Sequence, residues 1–141
     1  MALMNSHEFH SRGRPVTKRI KQVISFDGLQ FGVISPTDID GCIEYRDKAL
    51  ILLEYKLRGY KMPTGQRLCL ERIADDVEMS GRKATVFLCE HDVTDVDKPV
   101  DAKSAIVKAV YYKHKWYKGN GQDVKQHIMR FIRFVNDTKR A

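Results

Sequence analysis

Asp38, Asp40, Glu54 and Lys56 bracket one short stretch, PTDIDGCIEYRDKALILLEYK. Carboxylate oxygens can hold Mg²⁺, a hard cation that keeps several of its waters. Such a metal lowers the pKa of a bound water, polarises a phosphoryl oxygen and offsets developing negative charge. A lysine beside it can hold the attacking water or stabilise a pentavalent transition state. Without a metal the carboxylates would repel one another, and Lys56 would offset only part of that. Each residue taken singly has a plainer role. Glu54 and Lys56 could be a surface pair worth about 0–1 kcal/mol, and Asp38 and Asp40 could be turn residues. Their concurrence at the mouth of an apolar hairpin points instead to chemistry.

The elements around them decide whether they meet. Residues 39–45 and 49–56 read as two strands joined by Arg46-Asp47-Lys48. Side chains at i and i+2 of a strand share a face, so Glu54 and Lys56 point one way, as do Asp38 and Asp40. A three-residue loop pairs Tyr45 with Ala49, which sets Asp40 opposite Glu54 and Asp38 opposite Lys56. A two-residue loop would shift the register by one and separate the acids onto opposite faces. Leu50 to Leu53 is continuously apolar, the pattern of a strand buried on both sides.

The rest of the chain alternates. LQFGVI at 29–34 reads as a first strand. Thr64 is a plausible N-cap for a helix over about 65–79, with Leu70, Ile73, Ala74 and Val77 on one stripe. Residues 84–90 and 104–112 read as strands around a polar, acidic loop, and Gly119-Asn120-Gly121 breaks the chain. A last helix spans about 122–138, with Val124, Ile128, Phe131, Ile132 and Val135 as its apolar stripe. The fold class is α/β or α+β: a central mixed β-sheet flanked by helices. One domain covers about 24–141, after a basic N-terminal segment, 1–23.

The motif resembles the PD-(D/E)XK nuclease superfamily, the restriction-endonuclease-like fold. Pro36-Thr37-Asp38 and Ile39-Asp40-Gly41 match its "PD" element loosely, and Glu54-Tyr55-Lys56 matches (D/E)XK in full. That family's core is a helix, three strands, a helix and a further strand, with the ExK triplet on the third strand. The element order here matches from residue 29 to about 90. The region before residue 24 carries Pro15 and little apolar periodicity, so the family's first helix has no clear counterpart. The resemblance implies a Mg²⁺- or Mn²⁺-dependent deoxyribonuclease, possible members being phage-borne and resolvase-like. Asp40 and Glu54, with Asp38 as a third candidate, would be metal ligands together with the Tyr55 carbonyl. Asp40 has the better register with Glu54; Asp38 better matches the proline-preceded aspartate of the family. Lys56 would position the water. Gln66 resembles a glutamine that several branches carry at this helix start, and a homodimer is expected by the same analogy.

Composition bounds the rest. The 141 residues carry a formal net charge of +7, which suits a polyanionic partner such as DNA. Arg12, Arg14, Lys18, Arg19 and Lys21 form a basic run that is poor in apolar residues. Lys113 and Lys115 belong to a second run, interleaved with Tyr111, Tyr112, Trp116 and Tyr117. Cations among aromatic rings suit phosphate contact and base stacking. Trp116 itself reads as a core or loop anchor. Cys42, Cys69 and Cys89 are odd in number and contain no CxxC, so they read as small apolar core residues in a reducing compartment. No apolar run reaches the length of a membrane span, and MALMNSHEFHSRGR lacks the apolar stretch of a signal peptide; a cytoplasmic protein is expected. No Walker loop, GxGxxG or GxSxG is present, which argues against a nucleotide cofactor. Two rival readings keep the same fold: a catalytically silent DNA-binding module, and a phage protein-interaction module.

Overall fold

The computed structural model describes residues 22–138. The chain divides after Pro36 into two compact units. The second holds a five-stranded mixed sheet in the order β1-β2-β3-β4-β5. Its strands are β1 (Gly41–Tyr45), β2 (Ala49–Leu57), β3 (Lys83–His91), β4 (Ile106–Tyr112) and β5 (Lys115–Lys118). Helix α1 (Thr64–Met79) connects β2 to β3, and α2 (Val124–Asp137) follows β5. The protein is therefore α+β. Only the β2–β3 pair is parallel, as a helical crossover between neighbouring strands requires.

Strand alternation sorts the apolar residues onto two faces. Leu52, Ala84, Val86 and Tyr111 pack with Leu70 and Ala74 of α1. Ile51, Leu53, Phe87, Cys89 and Val107 pack with Val124 of α2, joined by Ile128, Phe131 and Ile132. Both helical stripes fall where periodicity places them. Each fully buried Leu, Ile or Phe contributes roughly 1.5–3 kcal/mol. That two-sided burial explains the unbroken run Leu50–Leu53.

Several expectations change. Residues 29–34 form no strand. Gly32 adopts a left-handed φ of 66°, and the run folds on itself: Phe31 N–H donates to the Ile34 carbonyl at 2.8 Å, and Ile34 N–H returns the bond at 3.1 Å. A glycine without Cβ strain folded what apolar content alone reads as extended. At α1, the N-cap is Pro63 with no side-chain cap, so Thr64 is already helical. At α2, Asp123 and Gln126 form a reciprocal capping box, which starts that helix later than expected. Strand β5 is additional to the strands that the pattern predicts. Lys113 and His114, both at positive φ, make a tight two-residue turn without the usual Gly or Asn signal. Gly119 then lies where a Cβ would collide with the Val107 carbonyl. Cys89 is a core residue, but Cys69 is only half-buried and Cys42 is exposed on edge strand β1.

Candidate functional site

The register of the β1–β2 hairpin decides the site. Tyr45 pairs with Ala49 and Gly41 with Leu53, so the loop has three residues. Arg46 and Asp47 take φ of 50° and 59°, and Lys48 N–H closes the turn onto the Tyr45 carbonyl at 2.8 Å. Asp40, one residue before β1, falls opposite Glu54 on the same face. There it does more than face its neighbour: Tyr55 N–H donates to Asp40 Oδ2 at 2.8 Å. The Asp40 carboxylate thus continues the ladder where the backbone of β1 stops. A residue's N–H and C=O leave a strand on the same side, so the Tyr55 carbonyl is directed toward Asp40 as well.

Glu54 is buried, 2% exposed. Its Oε2 lies 3.2 Å from Lys56 Nζ and accepts from Gln66 Nε2 at 2.7 Å. Gln66 sits in the first turn of α1 and spends its second amide hydrogen on the Asp38 carbonyl, 3.2 Å away. Turning that amide over would set its oxygen against two acceptors, so the hydrogen-bond network fixes its orientation. Two buried oxygens remain without a donor: Glu54 Oε1 and Gln66 Oε1. Buried polar atoms are nearly always paired, and each exception asks for a cause. Burial first, then the Asp40 charge, raises the Glu54 carboxyl pKa, with Lys56 opposing. The same burial and the two acids behind it push the Cys89 thiol up to about 12, which keeps it a neutral packing residue.

The sequence-predicted residues therefore divide. Asp40, Glu54, Tyr55, Lys56 and Gln66 converge. Asp38 reaches the group through its backbone carbonyl. Among the described residues no three of His, Cys, Asp and Glu cluster as an all-protein cage would require. The available oxygens are two carboxylates, an amide and a main-chain carbonyl. They fit a hard ion that takes one or two carboxylates and keeps its waters, which is Mg²⁺ or Mn²⁺ rather than a soft metal.

Lys113 and Lys115 lie elsewhere. Glu54 is level with Leu88 of β3 and Ala109 of β4, and β4 runs from there away from the site. Lys113 is four residues on, roughly 13 Å along the strand. Arg12, Arg14, Lys18, Arg19 and Lys21 fall outside the described residues. One neighbour has no signal in the sequence. Glu90 lies opposite Lys56 across β2–β3 and pairs with Lys108 at 3.3 Å. Lys108 is the unmatched residue at the β4 bulge, where pairing jumps from Ala109 to Val107, and a bulge re-aims side chains. No local pattern announces that.

Comparison with protein-family models, with curated proteins and with solved structures finds no match for this chain. Among the described residues, no helix is long and apolar enough to cross a membrane.

Proposed function

We propose that this chain is a divalent-metal-dependent nuclease of the PD-(D/E)XK kind that hydrolyses DNA phosphodiester bonds. One observation carries the reading: the buried Glu54 and the half-buried Gln66 each keep one buried oxygen with no donor, beside a second carboxylate, Asp40, that is tied to the Tyr55 N–H. Two acceptors without a donor suit a cation. Asp40, Glu54, the Gln66 amide oxygen and the Tyr55 carbonyl would hold Mg²⁺ or Mn²⁺. The bound ion would acidify a water and offset charge on the phosphoryl group.

The protein's own groups do the rest. Gln66 Nε2 binds Glu54 Oε2, which leaves Oε1 of both residues buried and without a donor. Lys56 keeps its ammonium against Glu54 Oε2, where it can hold a water or donate to a phosphoryl oxygen. The Tyr55 N–H locks Asp40, so the ligand is set before substrate arrives and needs no ordering at the moment of reaction. The net charge of +7 favours a polyanionic substrate.

The test is incubation with linear, nicked, branched and single-stranded DNA in Mg²⁺ or Mn²⁺, with Glu54→Ala run in parallel. Cleavage by the wild type that the variant has lost supports the reading. Equal cleavage by both proteins, or none by either, overturns it.

A further inference from the structure

The opposite face of the sheet carries a second feature, which stands whether or not the Glu54 site cleaves anything. A cavity of about 520 Å³ opens between the β4–β5 hairpin and α2. Aromatic rings wall it: Tyr112 and Tyr117 from the hairpin, Phe131 and Phe134 from the helix, and Phe87 from β3. Tyr112 meets both helix phenylalanines edge to face, at 6.2 and 5.9 Å. Tyr117 and Phe134 remain 48% and 43% exposed, so much of their aromatic surface is still in water.

Cations surround those rings. Lys118 and Arg130 line the cavity, and no acidic side chain does. Lys113 Nζ lies 5.6 Å from the Tyr112 ring centre, Lys115 Nζ 5.2 Å from that of Tyr117, and Lys83 Nζ 5.8 Å from that of Phe134. Lys56, Arg58, Arg67, Arg82, Lys103 and Lys108 have a carboxylate within ion-pair distance, while several other described cations, Lys61 and Lys98 among them, do not. The five cations around the cavity have none among the described residues; Arg130 donates only to the neutral Gln122 amide, at 2.8 Å. His127 in the cavity wall is buried, 9% exposed. Its Nδ1 lies 3.1 Å from the Asp123 carbonyl. That oxygen can only accept, so Nδ1 carries the hydrogen and Nε2 is left as an acceptor with no partner among the described residues.

We infer that this cavity binds an unpaired base of a single-stranded nucleic-acid segment. The base packs against the rings, Nε2 of His127 accepts from its edge, and the backbone phosphates run over Lys113, Lys115, Lys118 and Arg130. Aromatic platforms inside a positive groove are what single strands recognise, and a base held in a duplex stack could not enter. A second copy of this chain is the poorer occupant, because it would set one group of unpaired cations against another. The basic, aromatic run at 111–118 thereby acquires a role that its distance from Glu54 denied it.

Fluorescence anisotropy with a labelled oligothymidylate of about twelve nucleotides tests this. Glu54→Ala protein in EDTA keeps the other site silent, so cleavage and binding fail independently. Binding is expected, with Tyr117→Ala and Phe134→Ala each weakening it roughly five- to one-hundred-fold. Lys115→Ala and Arg130→Ala should each lower the salt slope by about 0.7. An abasic strand of equal length should bind like the ring variants. Three results would overturn the inference: no binding, equal affinity for the abasic strand, or ring variants with wild-type affinity. Sedimentation supplies a fourth, a dimer lost in Phe134→Ala, which would make the second copy the occupant. Both rings are half-exposed, so their truncation leaves the core intact, and circular dichroism verifies that.

Discussion

Strand β2 and its extension hold two ion pairs four residues apart, and they differ in every respect that matters. Arg58 grips Asp92 through two bonds, at 2.6 and 3.0 Å, with both side chains about two-thirds exposed. Glu54 meets Lys56 through one looser contact of 3.2 Å, with Glu54 almost wholly buried. In the better-formed pair each carboxylate oxygen already has a donor, and water reaches the rest. The poorer one leaves Glu54 Oε1 and Gln66 Oε1 unpaired. Ideal geometry in water contributes little to stability, while unmet need in the interior marks a place built for something else.

The sharpest way to break this contrast is activity. Glu54→Ala should lower DNA cleavage in Mg²⁺ by at least about 10²-fold, whereas Asp92→Ala should change it less than about twofold. A quantitative plasmid-nicking assay checks both, and equal losses would erase the distinction. Next in size is Gln66→Ala, which removes one proposed ligand oxygen and the donor that orients Glu54; it is expected to cost at least about 10–100-fold in activity or metal affinity. Calorimetric titration with Mn²⁺ reads the affinity directly.

Metal should also act on stability. At about one hundred times its dissociation constant, an ion bound only by the folded state adds about 2.7 kcal/mol. Mn²⁺ should therefore raise the melting temperature of the wild type but not of Asp40→Asn. Smaller still is the pH effect. Glu54 has its pKa raised above the ordinary 4.5 by burial and then by Asp40. The folded state thus holds this proton more tightly than the unfolded chain. The resulting stability is present below about pH 4.5 and is lost as pH rises through the raised folded value. In EDTA, Glu54→Gln should therefore gain stability relative to the wild type between about pH 4 and about pH 8, because the amide has no proton to lose. Urea unfolding at the two pH values would show parallel behaviour if the carboxylate were unstrained. The smallest effect belongs to Arg58→Ala, about 0–1 kcal/mol and screened by salt.

The expected site was legible to the extent that it is local. A three-residue hairpin loop and a two-residue side-chain period suffice to set Asp40 across from Glu54, and the pairing of Tyr45 with Ala49 follows that reading. Gln66 was legible because one helical stripe places it with Leu70 and Ile73. Less local features were not. Residues 29–34 read as a strand because apolar content does not reveal that Gly32 will turn the backbone left-handed. Strand β5 was hidden by a turn lacking its usual residues. Glu90 could join the neighbourhood of Lys56 only through the parallel register of β2 with β3.

The sequence by itself determined the faces: which side chains of the hairpin and of each helix point together, since that depends on backbone periods of 2 and 3.6 residues. Tertiary structure alone decided the ends and depths. It withdrew Glu54 from water, brought Lys108 to Glu90 beside Lys56, and carried Lys113 and Lys115 to the far end of the sheet. Those outcomes depend on pairing between strands remote in the chain and on a bulge at Lys108, and no local period encodes either.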